Sequence, residues 1–122
     1  MVVDRRRQKL GCWGEGQAAA YLEEQGLQVV ARNYRCPRGE IDLVAVDGEA
    51  LVFCEVKTRR STAYGLPQEA VSHVKQQQII RVAAWYLNEH QWSGEILFDV
   101  VAVIGSGGAR AEITWLPAAF TA

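Results

Sequence analysis

Two short apolar stretches carry acids at positions that alternation should bury. Residues 40–46 read Glu-Ile-Asp-Leu-Val-Ala-Val and residues 51–57 read Leu-Val-Phe-Cys-Glu-Val-Lys. Both have strand character, and Asp47-Gly48-Glu49-Ala50 between them is a hairpin signal. Successive strand residues face opposite sides, so Glu40, Asp42, Val44 and Val46 share one face of the first strand, opposite Ile41, Leu43 and Ala45. In the second strand Leu51, Phe53, Glu55 and Lys57 lie together, with Val52, Cys54 and Val56 behind them. If residues 47–50 form the connection, Asp42 lies directly opposite Glu55; with residues 47 and 48 alone it lies one diagonal away. In both registers the carboxylates come within roughly 5–8 Å of each other at Cβ. A three-residue connection would part them.

Carboxylates held that close raise one another's pKa, and a strand does not carry such a group without compensation. A divalent cation supplies it, and oxygen ligands favour Mg²⁺ or Mn²⁺ over zinc. Lys57, two residues beyond Glu55 on the same face, adds a positive donor. A set of this kind can hold a phosphate, activate a water and stabilise a pentavalent transition state. The alternative is a row of solvated polar positions on an exposed sheet face. The apolar neighbours of Glu55, in Leu-Val-Phe-Cys-x-Val, weigh against it.

The elements that must position these residues can be read in outline. The alanine-rich run Gln17–Glu24 favours a helix over about residues 5–25, stopped by Gly26. A strand is expected over 27–34, a turn over 35–39, the acidic hairpin over 40–57 and a loop over 58–67. A second helix is expected over about 68–89, with Pro67 in its first turn. Residues 96–104 are nearly all apolar, as in a strand buried on both faces, and 111–116 form a weaker last strand. The order α-β-β-β-α-β-β predicts an α/β fold, a mixed sheet flanked by helices. At 122 residues the chain is expected to be one domain, 1–122, with 1–9 a basic extension or helix start and 117–122 a tail.

Net charge is −1, which argues against coating nucleic acid or membrane by bulk charge. The distribution says more. Residues 1–38 carry net +3, 39–57 net −4, 58–81 net +3 and 82–122 net −3. A dense acidic segment thus sits between two basic ones, and one bound divalent ion would turn the total to +1. Cys12, Cys36 and Cys54 form no CxxC pair, so thiols in a reducing cytoplasm are expected, buried and unpaired. No apolar run approaches the ~20 residues of a membrane span, and no apolar core follows Arg5-Arg6-Arg7 as in a signal peptide. His73 and His90 have no metal-ligand spacing, and no phosphate loop or nucleophile elbow is readable.

Asp42, twelve residues, then Glu55-Val56-Lys57 resembles the D-x(n)-(D/E)-x-K signature of the PD-(D/E)xK nuclease superfamily. Around it, Gly11-Cys12-Trp13-Gly14-Glu15-Gly16-Gln17-Ala18-Ala19, Asn33–Val44 and Val52–Arg59 resemble the bacterial YraN family. Tyr64-Gly65, Ala70-Val71, Lys75 and Phe98-Asp99-Val100 fit it too; Leu97 departs from it, where many members carry an arginine. The resemblance covers roughly residues 10–104. It implies a restriction-endonuclease-like fold, similar to archaeal Holliday-junction resolvases. It also implies Asp42 and Glu55 as metal ligands, the Val56 carbonyl facing one or two Mg²⁺ or Mn²⁺ ions, Lys57 acting on the attacking water, and Glu15 completing the site.

The residues around this set have their own readings. On helical spacing Glu15 shares a face with Cys12, Ala18, Ala19 and Leu22, which brings it toward the sheet; the alternative is an acid favouring the helix dipole. Glu40 either polarises the site or binds Arg38. Lys75 lies on the face of Val71, Gln78, Ile79 and Val82, and either snorkels or reaches a phosphate. Asp99, inside an apolar strand, is expected to be structural and to have a partner. Arg32, Arg35, Arg38, Arg59 and Arg60 flank the acids and could grip a phosphate backbone, with surface salt bridges the blander role of each. Trp13, Tyr34 and Tyr64 are expected to pack more than to stack on bases. Trp85-Tyr86-Leu87 cannot all face one side of a helix, which suggests a homodimer contact, as in resolvase-like relatives. The expected function is a metal-dependent endonuclease acting on nucleic acid, foremost branched or structured DNA, with no membrane partner. The alternative is a non-catalytic module on the same fold that binds nucleic acid or protein.

Overall fold

The computed structural model describes residues 5–61, 71–108 and 110–122. The elements are α1 (Arg5–Glu24), β1 (Gln28–Cys36), β2 (Gly39–Asp47), β3 (Ala50–Arg59), α2 (His73–Glu89), β4 (Ile96–Ile104) and β5 (Glu112–Phe120). Their order is the α-β-β-β-α-β-β order expected from the sequence. All five strands form one sheet in the order β1-β2-β3-β4-β5, antiparallel except where β4 lies parallel to β3. That parallel step requires a crossover, which α2 occupies.

The sheet is covered on both faces. Ala18 and Leu22 of α1 pack with Leu43, Ala45, Val52, Cys54, Val101 and Val103. Ile79, Val82 and Tyr86 of α2 pack with Ile41, Val44, Leu51, Phe53 and Phe98 on the other side. Burial on both faces explains why β4 is apolar apart from Asp99, and why Ala50–Val56 of β3 is buried throughout. Among the described residues no helix is long and apolar enough to cross a membrane.

Several boundaries move for physical reasons. The β1–β2 hairpin is tighter than expected: Cys36 pairs with Gly39, leaving Pro37-Arg38 as the turn. Helix α2 begins at His73, where Ser72 caps it by accepting a hydrogen bond from the Lys75 N–H at 3.2 Å. Pro67, Tyr64, Gly65 and Ala70 lie outside the described residues. β5 runs on through Pro117 to Phe120, over residues expected as a tail; it is an edge strand, where a missing N–H is tolerated. All three cysteines are free, but only Cys54 is buried; Cys36 is half-buried and Cys12 exposed, so the apolar stripe of α1 does not include Cys12.

Candidate active site at the parting of β2 and β3

The β2–β3 register is the one that sets Asp42 opposite Glu55. Val46 pairs with Leu51 and Asp47 with Ala50, leaving Gly48-Glu49 as the tip. The ladder stops at Leu43–Cys54, one residue before the acids. Leu43 and Ala45 pack under α1 while Ile41 and Val44 pack under α2, so the alternation that holds over 43–45 fails between Ile41 and Leu43. This corrects the expectation that Ile41 shares a face with Leu43 and Ala45. The residue at the switch is Asp42, and its carboxylate reaches toward β3. Its Oδ2 accepts the Val56 N–H at 2.8 Å, standing in for the ladder bond that the parted strands no longer make. A strand residue turns its N–H and C=O to the same neighbour, so the Val56 carbonyl faces this gap as well.

Glu55 is one of two buried charged residues of the described chain, with 6% of its surface exposed. Lys57 Nζ lies 3.4 Å from its Oε1 and Lys75 Nζ lies 3.9 Å from the same atom. The Glu55 carboxyl is pushed up to about 7 by burial and by the Asp42 charge, against the pull of the two lysines. Burial raises Asp42 too, and hydrogen bonds from Val56 N–H and from the Glu55 carboxyl hold it back. Asp42 therefore lies close enough to Glu55 for its charge to raise the Glu55 carboxyl.

Glu15 comes in from α1. Burial lifts its pKa, the charges of Asp42 and Glu40 add to the rise, and a hydrogen bond from the Asn33 side chain opposes it. The helix can come this close because of Gly14. A Cβ there would lie 1.9 Å from Thr58 Oγ1 and under 3 Å from Thr58 Cγ2 and Cβ, so no rotation of the threonine would make room.

The sequence-derived candidates separate into groups. Asp42, Glu55, Lys57 and Lys75 converge, with Glu15 in electrostatic reach. Glu40 is held by Arg35 rather than Arg38, through Nε–Oε2 at 2.9 Å on the surface. Arg38 is exposed in the β1–β2 turn. Arg59 is exposed and donates to its neighbour's carbonyl at Thr58, 3.2 Å away. Arg60 lines an open groove of about 820 Å³ with Gln17, Arg110 and Glu112. Antiparallel pairing puts the start of β2 and the end of β3 at one end of the sheet, so Arg35, Arg38, Arg59 and Arg60 all lie at the acids' end. Tyr34 packs edge-on against Tyr86 and hydrogen-bonds Glu89, and Trp13 donates to the Gly108 carbonyl at 3.0 Å while packing on the α1-side core. Both are packing residues. Of the Trp85-Tyr86-Leu87 run, Tyr86 is buried and Trp85 is 40% exposed.

Two contributors escape a reading of the sequence. Ser72 fixes the start of α2 and hence Lys75; a serine three residues before it was the available signal. Asn33 occupies a strand position with φ 51°, and an asparagine inside an apolar strand pattern is the corresponding sign.

Asp42, Glu55 and the Val56 carbonyl present an all-oxygen set with more negative charge than the site can comfortably hold, which fits a hard divalent cation. Among the described residues, no three carboxylate, histidine or cysteine groups are gathered closely enough to form a complete cage.

Residues 14–103 match the family described as "Uncharacterised protein family UPF0102". The chain belongs to this family. Its UPF0102 relatives include proteins of Beutenbergia cavernae, 51% identical over 111 residues (88% of this chain and 94% of the relative), and of Syntrophotalea carbinolica, 48% identical over 116 residues (94% of each). A UPF0102 protein of Paenarthrobacter aurescens is 45% identical over 117 residues, covering 95% of this chain and 97% of its own. The UPF0102 match spans every site residue from Glu15 to Lys75, in agreement with the YraN resemblance of the sequence.

Proposed function

We propose that this chain is a Mg²⁺- or Mn²⁺-dependent endonuclease that hydrolyses phosphodiester bonds in nucleic acid, with branched or structured DNA as its substrate class. The observation that carries the reading is the register that sets Asp42 opposite Glu55 where the β2–β3 ladder stops, with Asp42 accepting the Val56 N–H and with Lys57 and Lys75 both on Glu55. Asp42, Glu55 and the Val56 carbonyl would hold the ion, with Glu15 closing the shell. When bound, the ion supplies a Lewis acid for a phosphoryl oxygen and a water of lowered pKa. The chain's own groups do the positioning. The Val56 N–H fixes Oδ2 of Asp42. Lys57, held by Glu55, would orient the attacking water. Lys75 offsets charge building on the phosphate, and the arginines at this end of the sheet grip the backbone on either side. The three free thiols support a reducing compartment, the cytoplasm. Exposed Trp85 is the contact surface of a proposed homodimer.

The test is cleavage of branched, flapped and single-stranded substrates by the purified protein with Mn²⁺ or Mg²⁺. A nicked product is expected on at least one substrate, and Asp42→Ala or Lys57→Ala should lower the rate by about a thousandfold or more. Cutting that survives Asp42→Ala would overturn the reading.

The second reading is a module that binds nucleic acid or protein without cutting. Calorimetry separates the two: no heat from millimolar Mn²⁺ would favour the module.

A further inference from the structure

Asn33 and Asp42 face each other across β1 and β2. The register runs Arg32–Leu43 and then Tyr34–Ile41, and the residues between are Asn33 and Asp42. Both strands change face at this step. Leu43 packs under α1, and its partner Arg32 reaches to within 3.9 Å of where a Cβ on Gly16 of α1 would lie. Ile41 and Tyr34 pack under α2. A strand that keeps its alternation cannot put residues two apart on opposite faces. Each strand must therefore depart from regular alternation here, and in β1 the departure is Asn33, at φ 51°. L-residues resist this left-handed region, asparagine least among those with a side chain. The same side chain lies beside the Glu15 carboxylate on α1, where it opposes the rise that burial and Asp42 give that group.

We propose that Asn33 is a positioning residue of the site: its left-handed backbone turns the β1–β2 pair at Asp42 and aims that carboxylate into the gap beside β3, and its amide ties Glu15 to the same place. The role at the metal rests on the endonuclease reading, whereas the aiming of Asp42 belongs to the metal-free chain. The Val56 N–H reports it directly, because Asp42 is its acceptor.

The experiment compares Asn33→Gly, which keeps the left-handed backbone and loses the amide, with Asn33→Ala, which penalises the backbone. Amide hydrogen exchange at Val56, relative to Cys54 on the intact ladder, is read without metal. Mn²⁺ affinity is read by calorimetry. For Asn33→Ala we expect Val56 protection to fall about tenfold relative to Cys54, and Mn²⁺ affinity to fall about tenfold or more. Asn33→Gly should keep Val56 protection and lose about threefold in Mn²⁺ affinity through the freed Glu15. Unchanged Val56 protection in Asn33→Ala overturns the proposal. So does equal loss of protection in both variants, because glycine keeps the backbone; that comparison also decides the matter if Asn33→Ala folds poorly. If the unsubstituted protein binds no Mn²⁺ while Val56 responds as expected, the endonuclease reading fails and the positioning role stands.

Discussion

The sheet contains two places where an acid faces an interrupted ladder, and they are put to opposite uses. At Asp99 the β4–β5 pairing jumps from Phe98–Phe120 to Val100–Leu116. The bulged segment turns at Ala118, φ 48°, whose N–H donates to Asp99 Oδ1 at 2.9 Å, while Trp115 Nε1 donates to Oδ2 at 2.8 Å. At Asp42 the β2–β3 ladder ends, the opposing strand turns at Asn33, φ 51°, and the Val56 N–H donates to Oδ2. The local device is similar: a left-handed residue, an interrupted ladder and an aspartate receiving a main-chain N–H. The difference lies in the second oxygen. In Asp99 it is closed by an indole N–H and the residue is 1% exposed. In Asp42 it faces Glu55, near two lysines and Glu15. Burial raises the pKa of both; Asp99 has its two neutral donors and the charge of Asp47 in reach, whereas Asp42 has Glu40, Glu55 and Lys75 around it. A buried acid with every lone pair answered by a neutral donor holds the fold together. One left half-answered beside another acid is equipped for chemistry.

The largest separation should come from the isosteric pair Asp42→Asn and Asp99→Asn. Asp42→Asn keeps an oxygen for Val56 and removes a charge from the Glu55 pair. Folding stability should then change by less than about 1 kcal/mol while Mn²⁺ binding is lost. Asp99→Asn turns an amide NH₂ toward an N–H donor and should cost about 2–4 kcal/mol with Mn²⁺ affinity nearly unchanged. Denaturant melts and calorimetry on both proteins check it, and an equal stability loss at the two positions would erase the distinction.

A smaller effect should appear with pH. Glu55 has a folded pKa of about 7 against an ordinary 4.5, so the native state holds more protons than the unfolded chain between those values. Its contribution is fully present below about 4.5 and is lost as pH rises through about 7. Without divalent ions, stability should fall over this window by up to about 3 kcal/mol. Glu55→Gln should flatten the slope. Mn²⁺ should reverse the loss near neutral pH, because the ion takes the place of the proton. Denaturation midpoints at pH 4.5, 6 and 7.5, with and without Mn²⁺, measure this, and a rise in metal-free stability with pH through the window would contradict the raised Glu55 carboxyl.

The smallest effect concerns the two left-handed residues. Alanine has no means of easing φ 48°, so Ala118→Gly should stabilise the protein by about 0.5–1 kcal/mol in a thermal melt. A loss of stability there would show that the methyl group, and not the backbone, matters at the Asp99 break.

Much of this architecture was legible because it is local. Strand alternation, the Asp47–Ala50 hairpin signal, the alanine-rich helix and the apolar run of β4 depend on neighbours a few residues apart. Together they set the element order and narrowed the hairpin to two registers, of which the structure takes the one that opposes Asp42 to Glu55. The side chain of Asp42 was less legible. Alternation assigned it a face with Val44, whereas the switch at Asn33 sends it toward β3, and nothing within strand 40–46 encodes a switch made jointly with its partner strand. The pairing of Arg35 with Glu40 was missed for a related reason, since the tighter turn at Pro37-Arg38 changes which arginine stands across from the acid.

The sequence by itself determined which acids and lysines stand near one another along β2 and β3, the type and order of the elements, and membership of the UPF0102 family. Tertiary structure alone decided that Lys75 from α2 reaches Glu55, that Gly14 lets Glu15 approach from α1, and that Asp99 is closed by Trp115 and Ala118. Each of those depends on two elements meeting in space, and their separation is set by packing that no local spacing records.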